Sequence, residues 1–417
     1  MPNYQTPGVY VEEIESGSKP IEAGATNIVG FLGVAEKGPV NQATLVTNWT
    51  QYTKIFGGLH EGGWLGHGVY QFFQNGGTKC YINNLAEPKA KNADPAKAGD
   101  KAAGKEGDKA AAKDGKEAAV TENAPYEVKN PENIAKLIIG KDEGVGKKTG
   151  LHLFDEIQDI SLICAPGVTD PAAQDAILTH CEKNRFRFAV LDSPETLEGG
   201  IDTMPMPRDS TMGAYYFPWV QMYDMVADQN IFAPPSGGIC GVYGRVDSTR
   251  GVHKAPANEL FKTALGLKYN LTDAEQELLN PKGINCIRDF PGRGIRVWGA
   301  RTISSNPEWR YVNVRRLFCM VEQSLQNGTN WVVFEPNTRD LWKKITRNIT
   351  SFLLNVWKSG ALFGDTPEEA FYVRCDDELN PPEAIDAGYV TIELGLAPAK
   401  PAEFVVFRVS QKTLGDE

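Results

Sequence analysis

The period of apolar and polar positions changes several times along the chain, and each change predicts an element. In the opening stretch TPGVYVEEI, Val9, Val11 and Ile14 fall on or near one face, with Tyr10 and Glu12 on the other. That is the alternation of a strand. Pro7-Gly8 punctuates its start and Ser16 to Pro20 cuts it off, so no tight turn joins it to a following partner. Residues 27–39, NIVGFLGVAEKGP, predict an apolar strand ending in a Gly-Pro turn. VTNWTQYTKIFGG predicts a short helix stopped at Gly57-Gly58. GVYQFFQNGGTKCYINNLAE predicts a helix, a stop at Gly76-Gly77 and a strand through Cys80-Tyr81-Ile82.

Further on, DISLICAPGV (159–168) and RFRFAVLDSP predict buried strands flanking the helix PAAQDAILTHCEKN. Strand, helix and strand with short turns make a βαβ unit, hence a parallel sheet and an α/β layer. MGAYYFPWVQMYD (212–224) and GGICGVYGRVDSTRG (237–251) continue this domain, with a turn at Pro234 to Gly238 between them. In the last third, INCIRDFPGRGIRVWGARTIS predicts two short strands around Pro291-Gly292, and NVRRLFCMVEQSLQNG (313–328) an amphipathic helix. WVVFEP predicts a strand. NTRDLWKKITRNITSFLLNVWKSG (337–360) predicts a long helix with Asn337 or Thr338 as N-cap. Its apolar stripe is Leu341, Ile345, Ile349, Phe352, Leu353 and Val356. Lys343, Lys344 and Arg347 cluster on the other side in the first half, where the helix dipole disfavours cations. FYVRCD, GYVTIELGLAP and EFVVFRVSQ predict three more strands; the last carries Phe404, Val405, Val406, Phe407 and Val409 almost to the end. The chain closes as it opens, on an apolar extended segment beside a terminus.

Composition narrows the function classes. A chain of 417 residues can bury sizeable cores in two or three domains. Its net charge of −10 argues against a general nucleic-acid binder. No apolar run approaches the length of a bilayer span, and the polar N-terminus has no signal-peptide core, so synthesis in the cytoplasm is expected. The seven cysteines are scattered and never in CxxC spacing, which predicts reduced, buried thiols. From 88 to 123 there is no aromatic residue, eight lysines face seven acids, and an octad recurs as GDKAAGKE, GDKAAAKD and GKEAAVTE. A period of eight fits no helical stripe, so this segment is expected to be a solvent-facing insertion.

Candidate chemistry is weak. His60, His67, His152, His180 and His253 form no HExxH, and GxSxG is absent. His60 and His67 in a Gly-rich loop read as ordinary loop residues, and Cys181 beside His180 as a small buried hydrophobe, because neighbours on a helix point different ways. PGRGIRVWG matches no phosphate-binding spacing and predicts a tight turn with a salt bridge; Arg301, Arg310, Arg315 and Arg316 predict packing and subunit contact rather than base stacking. No catalytic, cofactor or metal site is expected.

Over nearly its whole length the chain resembles the contractile tail sheath family of contractile phages, R-type pyocins and extracellular contractile injection systems. The resemblance rests on ordered stretches: TPGVYVEEI, IVGFLGVAEKGP, FFQNGGTKCYI, RFAVLDSP, APPSGGICGVYGRVDSTRGVHKAPAN, LNPKGINCIRDFPGRGIRVWGARTISSNPEWRYVNVRRL, WVVFEPN and APAKPAEFVVFRVSQ. It implies a mixed α/β and α+β chain, with a subtilisin-like but non-catalytic middle domain, a C-terminal α+β sheath domain and extended strand arms at both ends. On that basis the domains are expected at 1–23 (arm), 24–87 (first part of the α/β core), 88–123 (insertion), 124–283 (α/β domain), 284–401 (inner sheath domain) and 402–417 (arm). It further implies stacked hexameric rings around an inner tube on a baseplate, held in a high-energy extended form until a trigger, within a virion or phage tail-like particle. The implied partners are copies of the chain itself, the inner tube protein, baseplate and terminal cap proteins and, as an open alternative, a paralogous sheath subunit. Nucleic acid and direct membrane insertion are not among them. The arms, through Val9, Tyr10 and Val11 at one end and Phe404 to Phe407 with Val409 at the other, would add strands to neighbouring sheets. Lys343, Lys344 and Arg347 would face the tube. A non-contracting tube or shell protein stands as the alternative function.

Overall fold

A computed structural model describes residues 20–60, 62–85 and 131–407. The N-terminal strand expectation, the 88–123 insertion and Val409 lie outside the described residues. The described residues divide into a larger compact unit, within 25–320 and with 399–407, and a smaller one, 20–24 with 321–398.

The larger unit is built on a nine-stranded sheet. In chain order its strands and helices begin with β1 (Ile28–Gly33), β2 (Thr44–Val46), α1 (Trp49–Phe56), α2 (Leu65–Asn75), β3 (Lys79–Asn84), α3 (Pro131–Ile139), β4 (Leu162–Cys164), α4 (Pro171–Asn184), β5 (Phe188–Asp192) and β6 (Gly213–Phe217). A hairpin of β7 (Val220–Asp224) and β8 (Gln229–Ala233) follows, then α5 (Ser236–Arg250), β9 (Glu259–Leu260), β10 (Gly266–Leu267), α6 (Asp273–Leu279), β11 (Ile284–Phe290), β12 (Gly294–Val297) and α7 (Val312–Gly328). The order across the sheet is β2-β3-β1-β4-β5-β6-β11-β12-β9. From β3 to β11 every pairing is parallel, and only the edges are antiparallel. β10, β7 and β8 form a separate three-stranded sheet.

Parallel strands are covered on both faces, which is why β4, β5 and β6 read as unbroken apolar runs rather than alternations. The period-2 geometry then sorts neighbours into two cores. Phe31, Leu162, Val190 and Tyr216 point into a core with Phe72 of α2 and Tyr243 of α5. Leu32, Ile163, Leu191 and Tyr215 point into a second core with Ile138 of α3 and Ile177 of α4. α4 begins at the residue the sequence predicts, with Asp170 as N-cap accepting from the Ala173 N–H at 2.9 Å and Pro171 at the first position.

Glycine sets how closely α2 and α5 approach. A Cβ built on Gly237 would lie 2.3 Å from the carbonyl oxygen of Gly68, and one on Gly241 2.4 Å from that of Phe72. α7 is tied to α5 by a buried ion pair, Arg316 Nη2 to Asp247 Oδ2 at 2.5 Å. The Thr26 hydroxyl donates to the same carboxylate at 2.7 Å, and the Thr26 carbonyl accepts from Arg316 at 2.8 Å. The guanidinium also lies 4.5 Å above the Tyr243 ring. Packing is therefore what this arginine does, as the sequence predicts.

The smaller unit contains the end of α7, α8 (Arg339–Lys358), α9 (Pro367–Ala370), β13 (Phe371–Arg374), α10 (Pro382–Asp386) and β14 (Glu393–Leu396). The Thr338 hydroxyl caps α8 by accepting from the Leu341 N–H, and the whole predicted stripe from Leu341 to Val356 is buried. Ile21 is buried beside Gly328, and the Gly24 N–H donates to Ser324 Oγ at 2.8 Å.

Three expectations are corrected. WVVFEP is not a strand: Asn330–Val332 is a turn of 3-10 helix. No strand among the described residues runs beside it, so its N–H and C=O groups have no ladder to join. Val333 and Phe334 are instead exposed on the link between α7 and α8, Phe334 with a φ of 69°. The turn at Pro291-Gly292 closes the β11–β12 hairpin as expected, but without its salt bridge. Among the described residues, Arg293 donates to Asn258 Oδ1 at 3.1 Å and Arg296 to the Asn258 carbonyl at 2.8 Å, and neither meets a carboxylate. Lastly, EFVVFRVSQ predicts a strand, but its described residues Glu403 to Phe407 lie in none, because no strand among the described residues offers them a ladder.

Replacing Gly237 with Ala should destabilise the soluble subunit by about 1–3 kcal/mol or more, because the new methyl meets backbone rather than a yielding side chain. Gly58, whose built Cβ has only Val226 at 4.0 Å, is the control, and Gly58→Ala should leave the urea midpoint nearly unchanged. Equal midpoints for the two variants would show that α2 and α5 can separate at little cost.

Candidate assembly surfaces

The polar clusters that could suggest catalysis are structural. Asp192, at the C-terminal end of β5, is fully buried and accepts from Gly167 N at 2.9 Å, Ser236 N at 2.9 Å and Ser236 Oγ at 2.5 Å. The carboxylate thus satisfies an N–H at the start of α5, and burial pushes its carboxyl up to about 6. His67 Nε2 lies 2.8 Å from Asp224, whose other oxygen accepts from Val226 N and Ala227 N at the tip of the β7–β8 hairpin. Burial raises the Asp224 carboxyl, but these donors outweigh it and hold the group below the ordinary range. His180 contacts Arg187 at 2.6 Å, and burial, with that cation beside it, lowers the imidazole to about 4. Cys181 is buried, and burial drives its thiol well up, away from the thiolate a nucleophile needs. Among the described residues no cluster of His, Cys, Asp or Glu could hold a metal ion.

The outward surfaces are more informative. Phe404, Val405, Val406 and Phe407 are 74%, 70%, 78% and 85% exposed and lie in no strand. A contiguous exposed apolar run of this kind marks a surface that a partner covers. Just before it the chain is held: Asn313 Nδ2 donates to the Ala399 carbonyl at 3.3 Å, and the Glu403 carboxylate is hydrogen-bonded by side chains of the larger unit. In the smaller unit, β13 and β14 make a two-stranded antiparallel sheet with Phe371 opposite Leu396 and Arg374 opposite Glu393. Both outer edges lack a partner strand among the described residues, and two strands alone are marginal in water. Of the arm residues, the structure describes only Phe404 to Phe407; Val9, Tyr10, Val11 and Val409 lie outside.

The basic cluster of α8 is exposed but does not form one patch. Lys343 and Arg347 line a hollow of about 620 Å³ with Trp342, Leu354, Asp376 and Asp377. Lys344 lines a second hollow of about 380 Å³ with Glu335 and Asp340. Among the described residues none of the three is ion-paired, whereas Arg339, one turn earlier, meets Asp377 at 3.0 Å.

Two family descriptions match adjacent stretches: Phage tail sheath protein central domain over 149–303, and Phage tail sheath C-terminal domain over 304–412. Together they span more than half of the 417 residues. The chain belongs to the phage tail sheath family. It is similar to the tail sheath protein of Burkholderia phage BcepMu, at 22% identity across 96% of this chain and 95% of that one. Among solved structures it matches the PVC sheath complex of an extracellular contractile injection system in the contracted state, with a TM-score of 0.73, 28% identity and 99% of each chain covered. It also matches a chain of the anti-feeding prophage baseplate, with a TM-score of 0.70, 28% identity and coverage of 98% and 100%. This sheath protein is a structural subunit of a contractile tail or tail-like particle and not an enzyme. No described helix is long and apolar enough to cross a membrane.

The sheath subunit should carry one pH signature of its own. Asp192 is neutral when folded at a pH where it is ionised when unfolded, so its contribution is full below the ordinary aspartate pKa of about 4 and is lost as pH rises through about 6. Wild-type stability relative to Asp192→Asn should therefore fall by ~2–3 kcal/mol over that window, read from urea unfolding at each pH. A difference that stays flat would mean that Asp192 titrates alike in both states.

Proposed function

We propose that this chain polymerises as stacked hexameric rings around an inner tube above a baseplate, and that contraction of the lattice drives the tube through a target envelope. Support comes from the full-length likeness to a contracted sheath and from a chain that lies within a baseplate assembly. The observation that carries the assembly reading is the pairing of surfaces within one subunit. The chain leaves four consecutive apolar residues exposed after Glu403, and it keeps a two-stranded sheet with open edges. An arm from one copy laid along β13 or β14 of another would solve both problems at once. Four to six backbone hydrogen bonds at roughly 0.5–1.5 kcal/mol net apiece give a few kcal/mol per arm, repeated at every subunit. The N-terminal arm is proposed to act in the same way. In this reading residues 88–123 form a surface insertion that assembly does not need, and tube, cap and any paralogous sheath subunit complete the particle.

Deleting 404–417, or 1–19, should leave a folded, soluble subunit that no longer builds long sheaths in electron micrographs. Long ordered sheaths from either truncation would remove the arms from the mechanism. Sheaths that form but never shorten after acid or denaturant would favour the static-tube alternative.

For the tube, Lys343 and Arg347 are the stronger candidates, because they line one hollow together with an apolar floor. Exposed ion pairs contribute only about 0–1 kcal/mol each and weaken with salt, which suits a contact that must release on contraction. Changing Lys343, Lys344 and Arg347 together to Glu, with the tube protein co-expressed, should abolish extended tube-filled particles while contracted sheaths still form. Tube-filled particles at the wild-type level would place the attachment elsewhere.

A further inference from the structure

The C-terminal arm must transmit force as well as bind, and one residue is placed to decide where that force enters its own subunit. Both carboxylate oxygens of Glu403 are taken up twice. Oε1 accepts from Arg301 Nε at 2.8 Å and Asn280 Nδ2 at 2.9 Å. Oε2 accepts from Arg301 Nη2 at 2.7 Å and Tyr311 Oη at 3.1 Å. Such a forked arginine–carboxylate pair with further donors is among the strongest polar arrangements available to a protein. It is also partly shielded, with the Arg301 side chain 11% and the Glu403 side chain 21% exposed.

The arginine cannot swing with the arm. Its remaining Nη1 donates to the Asn280 carbonyl at 3.0 Å. Its backbone is gripped on both sides by the buried Asn285, which accepts from Arg301 N at 2.7 Å and donates to the Arg301 carbonyl at 2.7 Å. Asn285 lies on β11, within the nine-stranded sheet. Glu403 is therefore connected to the central sheet through two rigid steps, whereas the next four residues are exposed. The boundary between held and free chain falls at a single side chain.

We infer that Glu403 is the tether that fixes the C-terminal arm to the body of its own subunit, so that tension from a neighbour reaches the sheet through Arg301 instead of peeling the chain away from Ala399 onward. The inference rests on the arm reading above and adds to it a positioning residue, distinct from the strand residues that meet the neighbour. A carboxylate suits the role better than apolar packing, because a forked ion pair has one bonded geometry and resists sliding along the chain.

The test compares Glu403→Gln, Glu403→Ala and Arg301→Gln in the full chain. A spin label placed through Ala402→Cys reports the root of the arm in the soluble subunit. The fast-moving fraction should rise about tenfold or more when the fork is broken, read in buffer well below the urea transition, with the midpoint itself lowered because Arg301 loses its carboxylate. With the tube protein present, the variant sheaths should assemble but break into short segments on triggering, because the arms detach from their own bodies under tension. Glu403→Gln, which keeps shape and one acceptor, should sit between wild type and Glu403→Ala. Unchanged label motion together with intact contracted sheaths in Glu403→Ala would overturn the tether. If Glu403→Ala unfolds the body, the same two readouts in Glu403→Gln decide the matter. The arm reading fails separately: it is lost if the 404–417 truncation assembles normally, whatever the tether variants do.

Discussion

The sheet from β3 to β11 runs parallel through six strands and must be dry on both faces, and the larger unit is arranged around that requirement. It explains why β4, β5 and β6 have no solvent-facing positions, and why helices are supplied to both sides. It explains the glycines of α2 and α5 as well. α2 and α5 share one face of the sheet, and Gly68 against Gly237 lets their backbones approach closely there. Even the polar groups in this region answer to the sheet. Asp192 ends β5 and receives the first N–H of α5, and Asn285 of β11 locks the chain beyond β12.

Much of this was legible in the sequence where period and punctuation agree. α4 carries Asp-Pro at its start and a clean run to Asn184, and its bounds are those the sequence predicts. The α8 stripe and its Thr338 cap are equally plain, since a 3.6-residue period sustained over five turns fits a helix and no strand or loop. Legibility failed where structure depends on partners distant in sequence. β2, β9 and β10 are two or three residues long and exist only because a neighbouring strand offers a ladder. WVVFEP has the composition of a strand but no ladder, so it became a turn. The hairpin arginines Arg293 and Arg296 were expected to find a carboxylate, but the nearest acceptors belong to Asn258, well back along the chain.

The assembly surfaces divide in the same way. An apolar run close to a terminus is visible without a structure, and Phe404 to Phe407 are exposed, although they lie in no strand where the sequence predicts one. Glu403 carried no signal, because its partners Tyr311, Arg301 and Asn280 lie 92, 102 and 123 residues away. The cluster on α8 was visible as charge, but its division between two hollows depends on side-chain directions and on the acids of separate segments. The resemblance to sheath proteins supplied what periodicity could not: a reason for a chain with so many chemically idle polar pairs to leave Phe404 to Phe407 in water.

The close approach of α2 and α5 has a mechanical meaning. Side chains at a helix interface can change rotamer and absorb small displacements; carbonyl oxygens pressed against Cα atoms cannot. A pair packed through Gly68, Gly237 and Gly241 has almost no shear compliance, so it behaves as a stiff link. When stiff and soft elements are joined in series, deformation collects in the soft ones. In a lattice of such subunits the body would turn as a block while the strain of rearrangement gathered in the few residues that leave it. Those residues would set the stroke, and the glycines would keep it from being lost as internal give.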